Sequence, residues 1–388
     1  MEIHDARIGA EGGPIFIDRE GQVIAGARPI IPPRLVKESV AQKFMVNDTP
    51  FFLNVEGGVI DVEQGQAGGS QVLMAQNGSL VYFRASVNDV FAYFITGLLH
   101  GEIPFPGDDF TSAQFPTTGD DLTPIVEFAE SHDKTLVDTE ALAIEVKTSW
   151  IEAHLLDDPE RYITLMGTIP TYDASDPDLW VHTGNKTIEL AMVGMHVVGS
   201  TKGHPEMIWA TFEHVSSTPN AEYSYTKESG STTTVPQQTS GQWLFCEDGS
   251  DGPFNVPHMQ MDSGSHDIES VGEHTISPSN TIRWKAWGQA HPNPGSNAEV
   301  IAINNSIRSK LAEDDVRRNY IMTGATWTIS GAPPNSGNQV GTRLLANTTM
   351  ETYQQGSDNG NNGTNCFSCH TTNELPVSAI APRMEPLF

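Results

Sequence analysis

Apolar and polar residues alternate most regularly between positions 140 and 215. In Ile144-Glu145-Val146-Lys147-Thr148-Ser149-Trp150, an extended chain places Ile144, Val146 and Thr148 on one side. Three further runs follow at 162–166, 188–198 and 207–215. Along the last, Trp209, Thr211 and Glu213 share one face, while Ile208, Ala210, Phe212 and His214 share a more apolar one. Four such strands in succession, separated by turns, predict an antiparallel sandwich or barrel.

Shorter signals flank this stretch. The runs 51–55, 59–62 and 80–83 read as strands, with Gly57, Gly58, Asn77 and Gly78 supplying hairpin chemistry. Phe91, Phe94, Ile95 and Leu98 recur at helical spacing, so a short helix is expected over 90–99, capped by the polar residues of 86–89. Residues 101–123 read as a polar loop, and 217–280 as a long insertion interrupted by a short strand at 242–245. Helices are expected from about 297 to 311, behind Ser296, and over 344–353, with a strand at 321–329 between them. No repeat of fixed period is present. The expected fold is mainly β (α+β), an antiparallel sandwich-like or barrel-like body with a few short helices. Its expected regions are 1–135 with an extended arm at 1–35, a body at 136–345, and a C-terminal segment at 346–388.

Composition agrees with many strands and turns: 35 Gly and 25 Pro among 388 residues, with 38% hydrophobic. The 21 basic residues stand against 49 acidic ones, a net charge of −28. Such a surface disfavours nucleic acid and anionic membranes as partners, and suits a salty medium or a basic protein partner. No apolar run reaches the length of a transmembrane helix. Hydrolase and nucleotide chemistry lack their signatures: there is no Gly-x-Ser-x-Gly elbow, phosphate-binding Gly-rich loop or His-Glu-x-x-His.

The chemistry is concentrated near the end, in Cys366-Phe367-Ser368-Cys369-His370. Cys-x-x-Cys-His is the attachment spacing of c-type haem. Two thiols one helical turn apart add to the two vinyl groups on one porphyrin edge, and the following imidazole becomes the proximal iron ligand. The chain has three cysteines, and two fall in this pattern. A thioredoxin-like pair would open a helix after a strand, and a zinc site would need two more ligands at motif spacing. The remaining thiol, Cys246, reads as a small buried apolar residue.

The sixth iron position decides the reaction. Met384 lies fourteen residues beyond His370, a span of up to ~45 Å when extended. A histidine of the body is the alternative, or an open site. His196, His204 and His214 cluster on the strong strands beside Glu213, and are the acid–base candidates. Met350 reads as core. Asp108, Asp109, Asp120 and Asp121 offer clustered oxygens of the kind calcium takes, or simply solvated turns.

The segments Gly194-Met195-His196, Thr201, Gly203-His204-Pro205, 207–214, 345–352 and 365–370 together resemble a group of secreted bacterial proteins labelled "cytochrome c family protein". The resemblance spans roughly residues 140–370. It implies a large β-rich body with one C-terminal haem-attachment motif. Small class I cytochromes c carry the motif near the start and an axial Met well downstream; here eighteen residues follow His370, so the body must form most of the pocket.

The resulting expectation is a periplasmic or extracellular monohaem redox protein, passing electrons or activating a small oxidant in a peroxidase-like way. Its N-terminal residues lack the basic and apolar regions of a secretory signal, so a mature chain without its leader is expected. The alternative is a β-sandwich binding or adhesion protein, with Trp180, Trp243, Trp284 and Trp287 facing a carbohydrate or protein partner and the haem motif accessory.

Overall fold

The computed structural model describes residues 70–100, 102–103, 114–136, 138–262, 264–288, 294–334, 337–355 and 366–370, together with four short strands between residues 3 and 53. The strands are β1 (Ile3–Ile8), β2 (Pro14–Ile17), β3 (Gln42–Val46), β4 (Thr49–Leu53), β5 (Tyr82–Asn88), β6 (Ile144–Glu152), β7 (Thr164–Asp173), β8 (Leu179–Thr201), β9 (His204–His214), β10 (Tyr223–Thr226), β11 (Thr232–Val235), β12 (Met259–Met261), β13 (Ile268–Ser270), β14 (Tyr320–Thr328) and β15 (Gln339–Gly341). The α-helices are α1 (Asp89–His100), α2 (Gly119–Ser131), α3 (Pro294–Arg308) and the single turn α4 (Cys366–Cys369).

The expected mainly-β architecture is present as one large antiparallel sheet in the order β15-β14-β9-β8-β6-β5-β1-β2. β8 is its spine. Its first half pairs with β7, and its second half lies between β6 and β9. The β8–β9 turn needs only Lys202 and Gly203, and Gly203 takes the left-handed φ of 82° that such a tight turn asks of one residue. β5 and β1 extend the sheet into the N-terminal region.

Some expectations change. The helix near 90–99 forms as α1, and Asn88 Oδ1 caps it by accepting from Phe91 N at 3.1 Å. Part of the loop at 101–123 is helix: Thr118 and Asp121 make a reciprocal capping box that starts α2. Asp121 thereby spends its carboxylate on the N–H groups of Thr117 and Thr118, both at 2.9 Å. Asp108 and Asp109 lie outside the described residues, as does the expected strand at 59–62. Residues 242–245 are not a strand; Leu244 N and Phe245 N donate singly to Ser216 O and Ser217 O. The stretch 344–353 is not an α-helix. It runs as turns closing in one 3-10 turn at Thr352–Gln354, and the side chains of Asn347, Thr348 and Thr349 bond to the sheet.

Three apolar clusters hold the body. One joins α1 and α2 to Val198, Met207, Trp209 and Phe367. A second packs Trp150, Met192 and Tyr320 with the β12–β13 hairpin. The third contains Met350 with Leu73, Ile151 and Phe245, which makes Met350 a core residue as expected. No helix among the described residues is long and apolar enough to cross a membrane.

Candidate functional site

Strand alternation holds along β9, and over 208–213 the enclosed side is the more polar one. On β9, Trp209, Thr211 and Glu213 are the enclosed face, and Ile208, Ala210 and Phe212 are the more accessible one. On β6, Glu145 and Ser149 are fully buried while Ile144 and Val146 are half-buried. The register explains this. Lys147, His196 and Thr211 stand side by side across β6, β8 and β9, as do Ser149, Gly194 and Glu213. This polar face is covered by residues 345–355, which reach it from the far end of the chain.

The contact is a dense hydrogen-bonded seam. Asn347 Nδ2 donates to Thr211 Oγ1 at 3.0 Å and to Phe212 O at 2.9 Å. Its Oδ1 accepts from Thr349 N and Thr349 Oγ1 at 2.9 and 2.7 Å. Thr349 Oγ1 also bonds Ser149 Oγ at 2.6 Å. Thr348 N and its hydroxyl both donate to the Glu213 carboxylate. Glu213 in turn pairs with Arg283 at 2.5 Å, and the two are 0% and 3% exposed. A buried ion pair of this kind tolerates loss of neither partner alone. Glu213 therefore anchors the seam, and its place among the acid–base candidates is corrected to a structural one.

The seam ends on Glu351. Glu351 Oε2 accepts from Asn347 N, and Oε1 faces His196 Nε2, both at 2.7 Å. Burial alone would raise the Glu351 carboxyl, but His196, the Asn347 N–H and the Lys147 charge bring it below its ordinary value. His196 is thus held by a half-buried carboxylate, in the orientation an acid–base group requires.

The haem-attachment motif docks beside this pair. Phe367 is fully buried and meets Trp209 edge-on at 5.8 Å. The His370 ring lies 4.9 Å from Trp209, and His370 N donates back to Cys366 O at 2.8 Å, extending the turn of α4. Burial, with Lys147 and His196 nearby, pushes the His370 imidazole down to about 4, against the opposing pull of Glu351. A neutral ring is the form that binds a metal. Cys366 is half-buried, and its Sγ faces Leu345 O at 4.0 Å. The Cys369 backbone closes the same turn, and its side chain lies outside the described residues, as does all of Met384. The Trp209 Nε1–H is buried beside the motif without a hydrogen-bond partner, the mark of a site with a group still to be supplied. These residues fit a covalently held haem: two cysteines one turn apart, an imidazole shifted towards its neutral form, and an aromatic wall.

The other two histidines go elsewhere. His214 stacks on Tyr162 at 3.8 Å and bonds Ser216 Oγ at 2.7 Å; burial lowers it to about 4. It is a packed core histidine on the opposite face. His204 pairs with Glu206 at 3.0 Å, at the β8–β9 turn. Cys246 is buried, and enclosure beside Glu247 and Asp248 raises its thiol to about 11, which leaves it unreactive. Sequence reasoning missed Lys147, Trp209 and Glu351. Each joins the site only through strand register or a contact across more than a hundred residues, so no local spacing announces it.

Compared with protein-family models, curated proteins and solved structures, the chain matches none of them.

Proposed function

We propose that this chain is a monohaem c-type redox protein working outside the cytoplasm. In this reading Cys366 and Cys369 carry the haem and His370 is its proximal ligand. The observation that carries it is the docking of the motif. His370 is neutral, packed on Trp209, and set beside the His196–Glu351 pair rather than hung on a free tail.

The haem, when bound, supplies one-electron chemistry and a site for a small ligand. The chain's own residues do the rest. Phe367 and Trp209 exclude water from one side of the motif. Glu351 orients His196 through the contact of its Oε1 with Nε2 at 2.7 Å. Lys147 adds positive charge to that wall. A positioned acid–base pair supports activation of a small oxidant over simple electron shuttling. The adhesion reading gains less support, since Trp180, Trp243, Trp284 and Trp287 are all half-buried rather than displayed.

The test is an oxidised and reduced absorption spectrum of protein passed through a c-type maturation system. A high-spin spectrum that shifts with peroxide or cyanide is expected, and His370→Ala should disturb it while leaving the haem attached. Sharp low-spin bands unaffected by either ligand would redirect the reading to electron transfer, with Met384 the first residue to replace.

A further inference from the structure

Away from the C-terminal segment, β13 pairs with the beginning of β8 through Ile268 with Trp180 and Glu269 with Leu179. That register brings His182 of β8 against the loop closing the β12–β13 hairpin, where its N–H donates to Asp267 Oδ1 at 2.8 Å. The loop is pinned by its own backbone. Asp262 Oδ1 accepts from Gly264 N and Ser265 N at 2.9 and 2.6 Å, and His266 N donates to Asp262 O at 2.8 Å. His266 sits at φ 61°, a left-handed conformation that costs energy for a residue of this size. The His182 and His266 rings come to rest with centroids 6.4 Å apart. In both rings Nε2 is closed off from solvent and has no hydrogen-bond partner. Buried polar atoms nearly always have one, and an exception calls for a water or an ion. Two such atoms in adjacent imidazoles, one on β8 and one on the pinned loop, share one explanation.

We propose that His182 and His266 form a binding site for a transition-metal ion of the Zn2+ or Cu2+ class, ligated through the two Nε2 atoms. Imidazole nitrogen suits these ions, whereas calcium and magnesium take oxygen. With nitrogen–metal bonds of about 2.0–2.1 Å and a ring radius of about 1 Å, two imidazoles on one ion have centroids roughly 5–6 Å apart. The observed 6.4 Å lies just beyond that range, so the two side chains draw together on binding. Among the described residues no third His, Cys, Asp or Glu completes a metal cluster, so water or an exogenous ligand fills the remaining positions. Asp262 and Asp267 give the loop a negative potential, and the Tyr172 ring, 5.9 Å from His182, closes one side. The site is independent of haem.

The test is a calorimetric titration of the full chain with zinc chloride. One equivalent is expected to bind, and His182→Gln and His266→Gln should each abolish it or weaken it by more than the ~10–100-fold that loss of an outer-shell partner costs. His258→Gln is the control. His258 and His274 also stack, at 4.5 Å, but His258 Nδ1 faces Ser277 Oγ, so that pair is already served. Electron spin resonance of one bound Cu2+ should further show coupling to two nitrogens, falling to one in either variant. Equal zinc binding in parent and both variants overturns the proposal. So does a parent chain that takes up neither ion, the two rings then sharing a buried water.

Discussion

Gly194→Ala isolates the seam that carries the C-terminal segment. Gly194 lies in the middle of β8, between Ser149 and Glu213, and its φ is outside the left-handed region. On backbone grounds an alanine should therefore help, since glycine in a strand interior costs roughly 0.5–1 kcal/mol against alanine. Packing reverses the sign. An added Cβ would overlap Thr349 Oγ1 outright and lie 2.7 Å from Ser149 Oγ and 2.8 Å from Asn347 Oδ1. Overpacking costs about 1–3 kcal/mol. Displacing Thr349 also breaks its bonds to Ser149 and Asn347, worth ~1 kcal/mol each. The net expectation is a loss of about 2–4 kcal/mol, read in guanidinium unfolding as a lower midpoint at unchanged slope. Gly199→Ala is the matched control on the same strand: its Cβ would meet Ala143 O and Ile144 Cγ1 at 3.6 Å, an ordinary contact. Gly199→Ala should be neutral or stabilising. If Gly194→Ala behaves the same way, residues 347–349 do not pack on β8, and the account of the site fails with them.

The buried ion pair gives a second expectation. Glu213→Ala leaves Arg283 enclosed without its partner and should cost ~3–5 kcal/mol, whereas replacing both by apolar residues of similar volume should cost less; additive losses in thermal unfolding would refute it. His214 sets a pH dependence. Its folded-state value of about 4 lies below 6.5 in the unfolded chain, so its contribution is fully present above pH 6.5. Between 6.5 and about 4 the unfolded chain takes up a proton that the folded one refuses, and up to ~3 kcal/mol of stability is lost. His214→Phe should flatten that slope, and an unchanged slope would place the titration elsewhere.

Strand periodicity and the helix at 90–99 were legible because each depends on residues a few positions apart. The buried side of β6 and β9 was not. A period-two pattern separates faces without saying which is enclosed, and here Glu145, Ser149, Thr211 and Glu213 are buried. The partners of Ser149, Thr211 and Glu213, namely Thr349, Asn347 and Thr348, lie some 130 to 200 positions away. The same non-local demand bears on the missing helix over 344–353: Asn347, Thr348 and Thr349 bond to the sheet through their side chains, and Thr348 N also donates to Glu213. His196 was found as a candidate without its carboxylate, since Glu351 meets it only after that segment docks. The α2 capping box at Thr118 and Asp121 was visible locally, and the Pro- and Gly-rich surroundings obscured it.

The central claim is that Cys366, Cys369 and His370 hold one haem on the polar face of this sheet. The most direct measurement is the intact mass of the denatured chain after secretion through a c-type maturation system. The account predicts the chain mass plus one haem, reduced to the bare chain when Cys366 and Cys369 are both changed to Ala. A parent chain that emerges at its bare mass, from a host that loads a known c-type cytochrome in parallel, would contradict it.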